Sequence, residues 1–192
     1  MPPATPPPLT IRLATPDDAD GIGRVHVASW QHAYADLLPA GFLAGLSVDD
    51  DARRWRQALG DASRQLFVCV AERPPGTIIG FAAGGPNHRE DGQYDGELQA
   101  IYLDPACQRQ GVGAALARAV AVRLADLAMP SMIVWVLAEN PARHFYEALG
   151  GQRAGHRQLE LAGLVLDAIA YGWRDTAALR AGETTAGDGR SG

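Results

Sequence analysis

Glu97-Leu98-Gln99-Ala100-Ile101-Tyr102-Leu103-Asp104-Pro105, continuing through Ala106-Cys107 into Gln108-Arg109-Gln110-Gly111-Val112-Gly113-Ala114, is the stretch whose reading decides the fold. The alternation of its first half predicts a strand, with Leu98, Ala100 and Tyr102 on one side and Glu97, Gln99, Ile101 and Leu103 on the other. Asp104-Pro105 ends that strand, because proline cannot donate to a ladder. Beyond the glycines, Leu116, Val120, Leu124 and Leu127 recur at helical spacing. A helix that begins at a glycine-rich turn offers unpaired backbone N–H groups and a partial positive charge, which suits an anion such as a pyrophosphate.

Three readings compete for the turn. A nucleoside-triphosphate loop ends in Gly-Lys-Ser/Thr, which is missing here. A dinucleotide fingerprint needs a third glycine, also missing. The third reading is a resemblance: Gln108-x-x-Gly111-x-Gly113 after an alternating strand is similar to the acyl-coenzyme A binding motif of the GNAT acyltransferases. A second segment, Glu139-Asn140-Pro141-Ala142-Arg143-His144-Phe145-Tyr146-Glu147-Ala148-Leu149-Gly150-Gly151, resembles the same family's Asn…Phe-Tyr…Gly helix, at the right order and distance from the first.

Composition sets the outer bounds. A chain of 192 residues with 47% apolar content fits one domain with a substantial core, and a formal charge of −5 leaves no basic footprint for nucleic acid. A cationic acceptor is compatible with that charge. No apolar run approaches membrane length, and Met1-Pro2-Pro3-Ala4-Thr5 lacks the pattern of a signal peptide, so a cytoplasmic location without membrane partners is expected. Two cysteines, Cys69 and Cys107, are too few for a disulfide framework or a cysteine-based zinc site, and no metal is expected. Cys69 reads as a core thiol.

Residues 1–8 form a proline-rich lead expected to be disordered, and residues 9–174 are expected to form the domain. Leu9 to Ala14 alternates as a first strand, and Thr15-Pro16-Asp17-Asp18 is a helix start. The helix it opens carries Ile22, Val25, Ser29/Trp30, Ala33 and Leu37 as a core stripe and stacks His26, Trp30 and Tyr34 in one row. That row reads equally as core packing or as the lining of an amine pocket. Pro39 interrupts the helix, a short turn follows around Phe42 and Leu43, and Ser47-Val48-Asp49-Asp50-Asp51 opens another helix with Val48, Ala52, Trp55 and Leu59 inward. Arg53, Arg54 and Arg56 read as its solvated face. Gln65 to Glu72 and Thr77 to Gly84 form a hairpin, and Gly84 to Gly92 a polar loop in which His88 is exposed. Ser131 to Ala138 is a buried strand, and Gln152 to Leu161 with Leu164 to Trp173 a hairpin around Ala162-Gly163. Residues 175–192 are small and polar, and are expected to form a disordered tail.

The resemblance spans roughly Leu9 to Arg174 and implies an α/β GNAT fold, one domain with a mixed, mainly antiparallel central sheet flanked by helices. It implies acetyl-coenzyme A as co-substrate, its pantetheine arm beside Ile101 and Leu103 and its pyrophosphate on amides from Arg109 to Ala114, next to Gln108. Asn140 matches the position that contacts the pantetheine arm, and Tyr146 the one near the sulfur. Trp30 to Pro39, WQHAYADLLP, resembles a bacterial subgroup whose members are mostly of unassigned substrate.

The chemistry needs a base, since an alkylamine with a pKa near about 10.4 is unprotonated in roughly one molecule per thousand at neutral pH. Glu97, eleven positions before Gln108, matches the spacing at which many family members carry a base, and it also serves as an acceptor contact alongside Trp30 and Tyr34. Its other reading is an exposed strand-edge carboxylate. Tyr146 reads either as the acid to the departing thiolate or as packing. The expected acceptor is a primary amine, a small molecule ahead of a protein N-terminus or lysine, and the assembly a monomer or homodimer. A non-catalytic acyl-coenzyme A sensor of the same fold is the alternative, against which intact Glu97 and Tyr146 argue.

Overall fold

The computed structural model describes residues 8–74, 76–88 and 93–181. Its elements, in chain order, are β1 Thr10–Leu13, α1 Ala19–Ala33, α2 Ala40–Ala44, α3 Val48–Gly60, β2 Phe67–Arg73, β3 Thr77–Pro86 and β4 Gly96–Leu103. There follow α4 Val112–Asp126, β5 Met132–Leu137, α5 Arg143–Ala148, β6 Gln152–Leu161, β7 Leu164–Trp173 and α6 Ala177–Arg180. The strands pair into one seven-stranded sheet in the order β1-β2-β3-β4-β5-β7-β6. Only β4 and β5 run parallel, because α4 carries the chain back between them, whereas the other neighbours are antiparallel.

Helices cover the sheet on two sides. On one, α4 lays Leu116, Val120 and Leu124 against Leu98, Met132 and Val134, all buried. The approach is close: a Cβ on Gly84 would stand 2.7 Å from Val120, and one on Gly96 2.7 Å from Leu124, so the sheet yields its side chains where the helix crosses it. On the other, α1 and α3 cover Val68, Val70, Phe81 and Ala83 with Ile22, Val25 and Trp55. Arg12 joins β1 to the start of α1 and to β2, donating two hydrogen bonds of 2.8 Å to Asp18 and one of 2.8 Å to Glu72.

The expected alternation of β4 holds only in its second half. Ala83 pairs with Ala100 but Gly84 pairs with Leu98, which leaves Gln99 as the extra residue of a β-bulge. Leu98 therefore stands with Ile101 and Leu103 on the α4 side, while Ala100 and Tyr102 face α1. Leu127 also differs from expectation. It is the C-cap of α4 and exposed, since the chain turns away there through Ala128 at φ 61°.

Other boundaries move by a few residues. The chain enters α1 through a 3-10 turn at Pro16–Asp18, and Gly84 to Pro86 belong to β3 rather than to the polar loop, whose residues 89–92 lie outside the described residues. The Asn140 segment is a turn followed by α5. Structure continues past residue 174: Thr176 N–H donates to Pro130 O at 2.9 Å, and α6 buries Leu179 against the α4 core. Residues 1–7 and 182–192 of the expected lead and tail lie outside the described residues. Among the described residues no helix is long and apolar enough to cross a membrane.

Candidate active site

The parallel ladder between β4 and β5 is two pairs long. Gly96 faces Met132 and Glu97 faces Ile133, and beyond them the strands part although both continue. Asp104 N–H donates to Ile79 O on β3, so alternation turns the backbone groups of Ile101 and Leu103 the other way, toward the gap. The Leu103 carbonyl accepts a hydrogen bond from the hydroxyl of buried Ser29 on α1 at 2.5 Å, tying that helix to the strand's end. Side chains of Ile101 and Leu103 pack on the α4 core, leaving the strand's backbone edge for whatever enters the gap.

The turn beyond β4 ends at the N-terminus of α4. Arg109 at φ 60° and Gly111 at φ 79° take left-handed conformations, and Gly111 supplies the N-cap position without a side chain to cap the helix. The first amides of α4, at Val112, Gly113 and Ala114, thus have no side-chain acceptor. Gln108, Arg109, Gln110 and Gly111 are exposed around them, and Val112 and Gly113 are buried behind. Gln110 braces the turn, its amide donating to Ala106 O at 3.2 Å and its carbonyl accepting from Arg73 at 2.7 Å. A Cβ on Gly113 would touch Phe145 at 3.3 Å, so α5 packs directly over the helix start.

Across the gap lies a cluster assembled from four distant segments. Asn140, buried after β5, accepts the Ala142 N–H at 2.9 Å and thereby shapes the turn into α5. The Tyr34 oxygen faces the hydroxyl of Tyr102 and the side-chain amide of Asn140; burial raises its pKa and these two groups oppose the rise. Tyr102 is raised further, by burial first and then by Tyr34. Tyr146 is buried, packs edge-on to Phe145 and stacks on Tyr171, and burial followed by the field of Tyr34 pushes its pKa well up. All three phenols are therefore protonated donors at neutral pH. Trp30 lies 5.0 Å from Tyr34 between ring centroids, and its indole N–H is buried without a hydrogen-bond partner among the described residues.

Glu97 is half-buried at the last pair before the gap. It shares its register with Gly85 and with Ile133, which packs with Tyr94 and Ala170 away from α4, so Glu97 projects from the face that carries Tyr102. Of the residues singled out in the sequence, Trp30, Tyr34, Asn140 and Tyr146 come together, Glu97 stands at the head of the gap, and Gln108 to Ala114 form its far end. Tyr102, Ser29 and Asp51 were missed as site residues. Tyr102 carried a signal, a hydroxyl-bearing aromatic in the deciding strand; Asp51 had none, because its partner His26 lies on another helix. Cys107 is a free, half-buried thiol packed against the α4 core. Burial pushes the Cys69 thiol up to about 11, as befits an inert core residue.

A parted parallel pair leading to an uncapped glycine turn defines a class of fold, and comparison with known proteins gives that class its family. The model of the Acetyltransferase (GNAT) family matches residues 28–151, more than half of the chain. The uncharacterized N-acetyltransferase YuaI of Bacillus subtilis (strain 168) is 38% identical over 173 residues, 90% of this chain and 96% of that protein. Among solved structures, the PaiA N-acetyltransferase of Thermoplasma acidophilum in complex with coenzyme A aligns with a TM-score of 0.64 at 14% identity, over 84% of this chain and 98% of that one. YncA of Salmonella typhimurium with acetyl-CoA aligns with a TM-score of 0.65 at 20% identity, over 86% of this chain and 93% of that one. The chain belongs to the GNAT acetyltransferase family, and it is an acyltransferase.

Proposed function

We propose that this protein moves the acetyl group of acetyl-coenzyme A to the primary amine of a small molecule by direct attack. One observation carries the reading: the gap between β4 and β5 opens at Glu97 and ends at the uncapped amides of α4. A ligand with an extended, amide-bearing arm and a pyrophosphate fits that combination, the arm along Ile101 and Leu103 and the phosphates on Arg109 to Ala114. Two solved relatives hold coenzyme A or acetyl-CoA, which supports the same donor here.

Each step then has a group. Glu97, directly or through a water, takes a proton from the ammonium, and the freed lone pair attacks the thioester carbon. The N–H of Leu103, turned into the gap, stabilises the negative charge on the carbonyl oxygen. Collapse breaks the carbon–sulfur bond, Tyr146 donates its hydrogen to the departing thiolate, and the second proton on the attacking nitrogen returns to the Tyr146 oxygen. The raised pKa of Tyr146 keeps it a protonated hydrogen-bond donor at neutral pH. Trp30 and Tyr34 hold the acceptor beside the donor, so that much of the acceleration comes from positioning.

Thermal unfolding with acetyl-coenzyme A, coenzyme A and ATP in parallel tests the donor assignment. At about a hundred times Kd, ligand binding adds roughly 2.7 kcal/mol, a rise of about 5 to 10 °C for a domain of this size. A shift with both coenzyme A forms and none with ATP is expected. Glu97→Gln is expected to keep that shift while lowering turnover and raising the apparent pH optimum. Unchanged turnover would remove Glu97 from the mechanism, and donor binding without transfer to any amine would favour a sensor.

A further inference from the structure

A cleft of about 380 Å³ lies between α1, α2 and α3 on the Tyr102 face of the sheet. Its apolar walls are Trp30, Phe42, Leu46, Trp55 and Leu66, and its polar lining is His26, Asp51, Arg54 and Arg64. That volume is ample for a ring of benzene size with a short chain. His26 Nδ1 stands 2.6 Å from Oδ2 of Asp51, whose other oxygen accepts from Arg54 at 2.6 Å. Asp51 is buried, and although burial opposes its charge, His26 and Arg54 outweigh it and hold the carboxyl ionised.

An ionised carboxylate only accepts, so Nδ1 carries a hydrogen toward Asp51 and Nε2 is the ring nitrogen left to meet a ligand. The imidazole cannot turn away, since Tyr102, Trp30, Phe81 and Trp55 surround it at centroid distances of 4.8, 5.4, 5.9 and 6.1 Å. Nε2 makes no hydrogen bond among the described residues, and His26 is part of the cleft lining. The site thus offers flat aromatic walls and one fixed hydrogen-bonding point on the imidazole. A second ammonium is poorly served there: Arg54 and Arg64 stand in the lining, and the one carboxylate is already engaged twice. A neutral hydroxyl, which both donates and accepts, suits the point better.

We propose that this cleft holds the distal end of the acceptor, and that the acceptor is an arylalkylamine bearing a hydroxyl group that hydrogen-bonds Nε2 of His26. The inference rests on the acetyl-transfer reading and adds the substrate class to it. Trp30 joins the two places, lining the cleft and packing on Tyr34, while Tyr102 packs on His26 and follows Ile101 on the strand that lines the gap. His26 is a specificity-determining residue that touches substrate away from the reacting atoms, and Asp51 is a positioning residue that fixes its ring.

The experiment titrates the full chain with tyramine and with phenethylamine, which differ by the hydroxyl alone. Tryptophan fluorescence is the readout, since Trp30 and Trp55 line the cleft. Tyramine is expected to bind about tenfold more tightly, the worth of one buried hydrogen bond. His26→Phe abolishes the discrimination while keeping phenethylamine binding, and His26→Gln, whose amide oxygen reaches toward the same point, restores part of it. Asp51→Asn removes the charge that fixes the ring and lowers the preference while leaving phenethylamine binding unchanged, and Asp51→Glu restores part of it, a rescue that a purely structural role would not produce. Equal affinity of the wild type for the two amines, or no binding of either at millimolar concentration, overturns the proposal. Acetyl-coenzyme A stabilisation measured on the same samples separates the two failures. If it is present, indifference to the hydroxyl sinks the cleft assignment alone; if it is absent, the acetyl-transfer reading falls and the acceptor role with it.

Discussion

The two faces of the sheet are built from different materials. On the α4 side Leu98, Leu116, Val120 and Leu124 are fully buried beneath the helix, and the candidate donor path consists of backbone: the free edge of β4 and the first amides of α4. On the α1 side the rings of His26, Trp30, Tyr34, Trp55, Phe81 and Tyr102 meet in one group, and the polar points are side chains. The difference teaches that a chain can keep a common donor with backbone geometry, which few substitutions alter, while its choice of acceptor rests on side chains that change freely.

Five substitutions test that contrast. Tyr146→Phe probes the point where the two faces meet, and it is expected to lower kcat by about 10² to 10⁴-fold with the acetyl-coenzyme A stabilisation intact. Steady-state thiol release with thermal unfolding checks it, and unaltered kcat would leave Tyr146 a packing residue. Leu124→Ala, at a fully buried position under Gly96, should cost about 2 to 5 kcal/mol in urea unfolding. Leu127→Ala, exposed at the end of the same helix, should stay within about 0.5 kcal/mol, and an equal cost would contradict the way α4 is seated.

Asp18→Asn tests the charged staple that holds the start of α1 to β1. Hydrogen bonds from Arg12 hold the Asp18 carboxyl below 3.8 against the opposing effect of burial. Its contribution is fully present above that unfolded value and is lost as pH falls through the lower folded value. The variant should therefore be less stable by about 1 to 3 kcal/mol at pH 7, with the gap closing below about pH 4. Urea titrations at the two pH values check it. Gly111→Ala acts on the turn itself: an L-residue at φ 79° costs about 1 to 2 kcal/mol, and the resulting distortion should weaken acetyl-coenzyme A binding while leaving phenethylamine binding unchanged.

Much of the donor side was legible in the chain. Alternation, proline, glycine and the 3.6-residue stripe are local signals, and local signals determine where a strand stops and a helix starts, so β4, its end at Asp104 and the Gly111 helix start all fall where the pattern puts them. The bulge at Gln99 was not legible, because it is a property of pairing with β3 and leaves the residue pattern of β4 unmarked. The extension to α6 was hidden too, since one buried leucine in a polar tail carries no period.

The acceptor side divides differently. The row of His26, Trp30 and Tyr34 follows from helical spacing, and the sequence alone left open whether it faced core or cavity. The packing of α3 against α1 decided it, bringing Asp51 to His26 across twenty-five positions and opening the cleft beside Trp30. Tyr34 and Asn140 are farther apart still, and only the parting of β4 from β5 lets them meet. Backbone conformation is set by neighbours in the chain, so its sites can be read from the chain; a side-chain site is set by how whole elements pack, and that is decided in three dimensions.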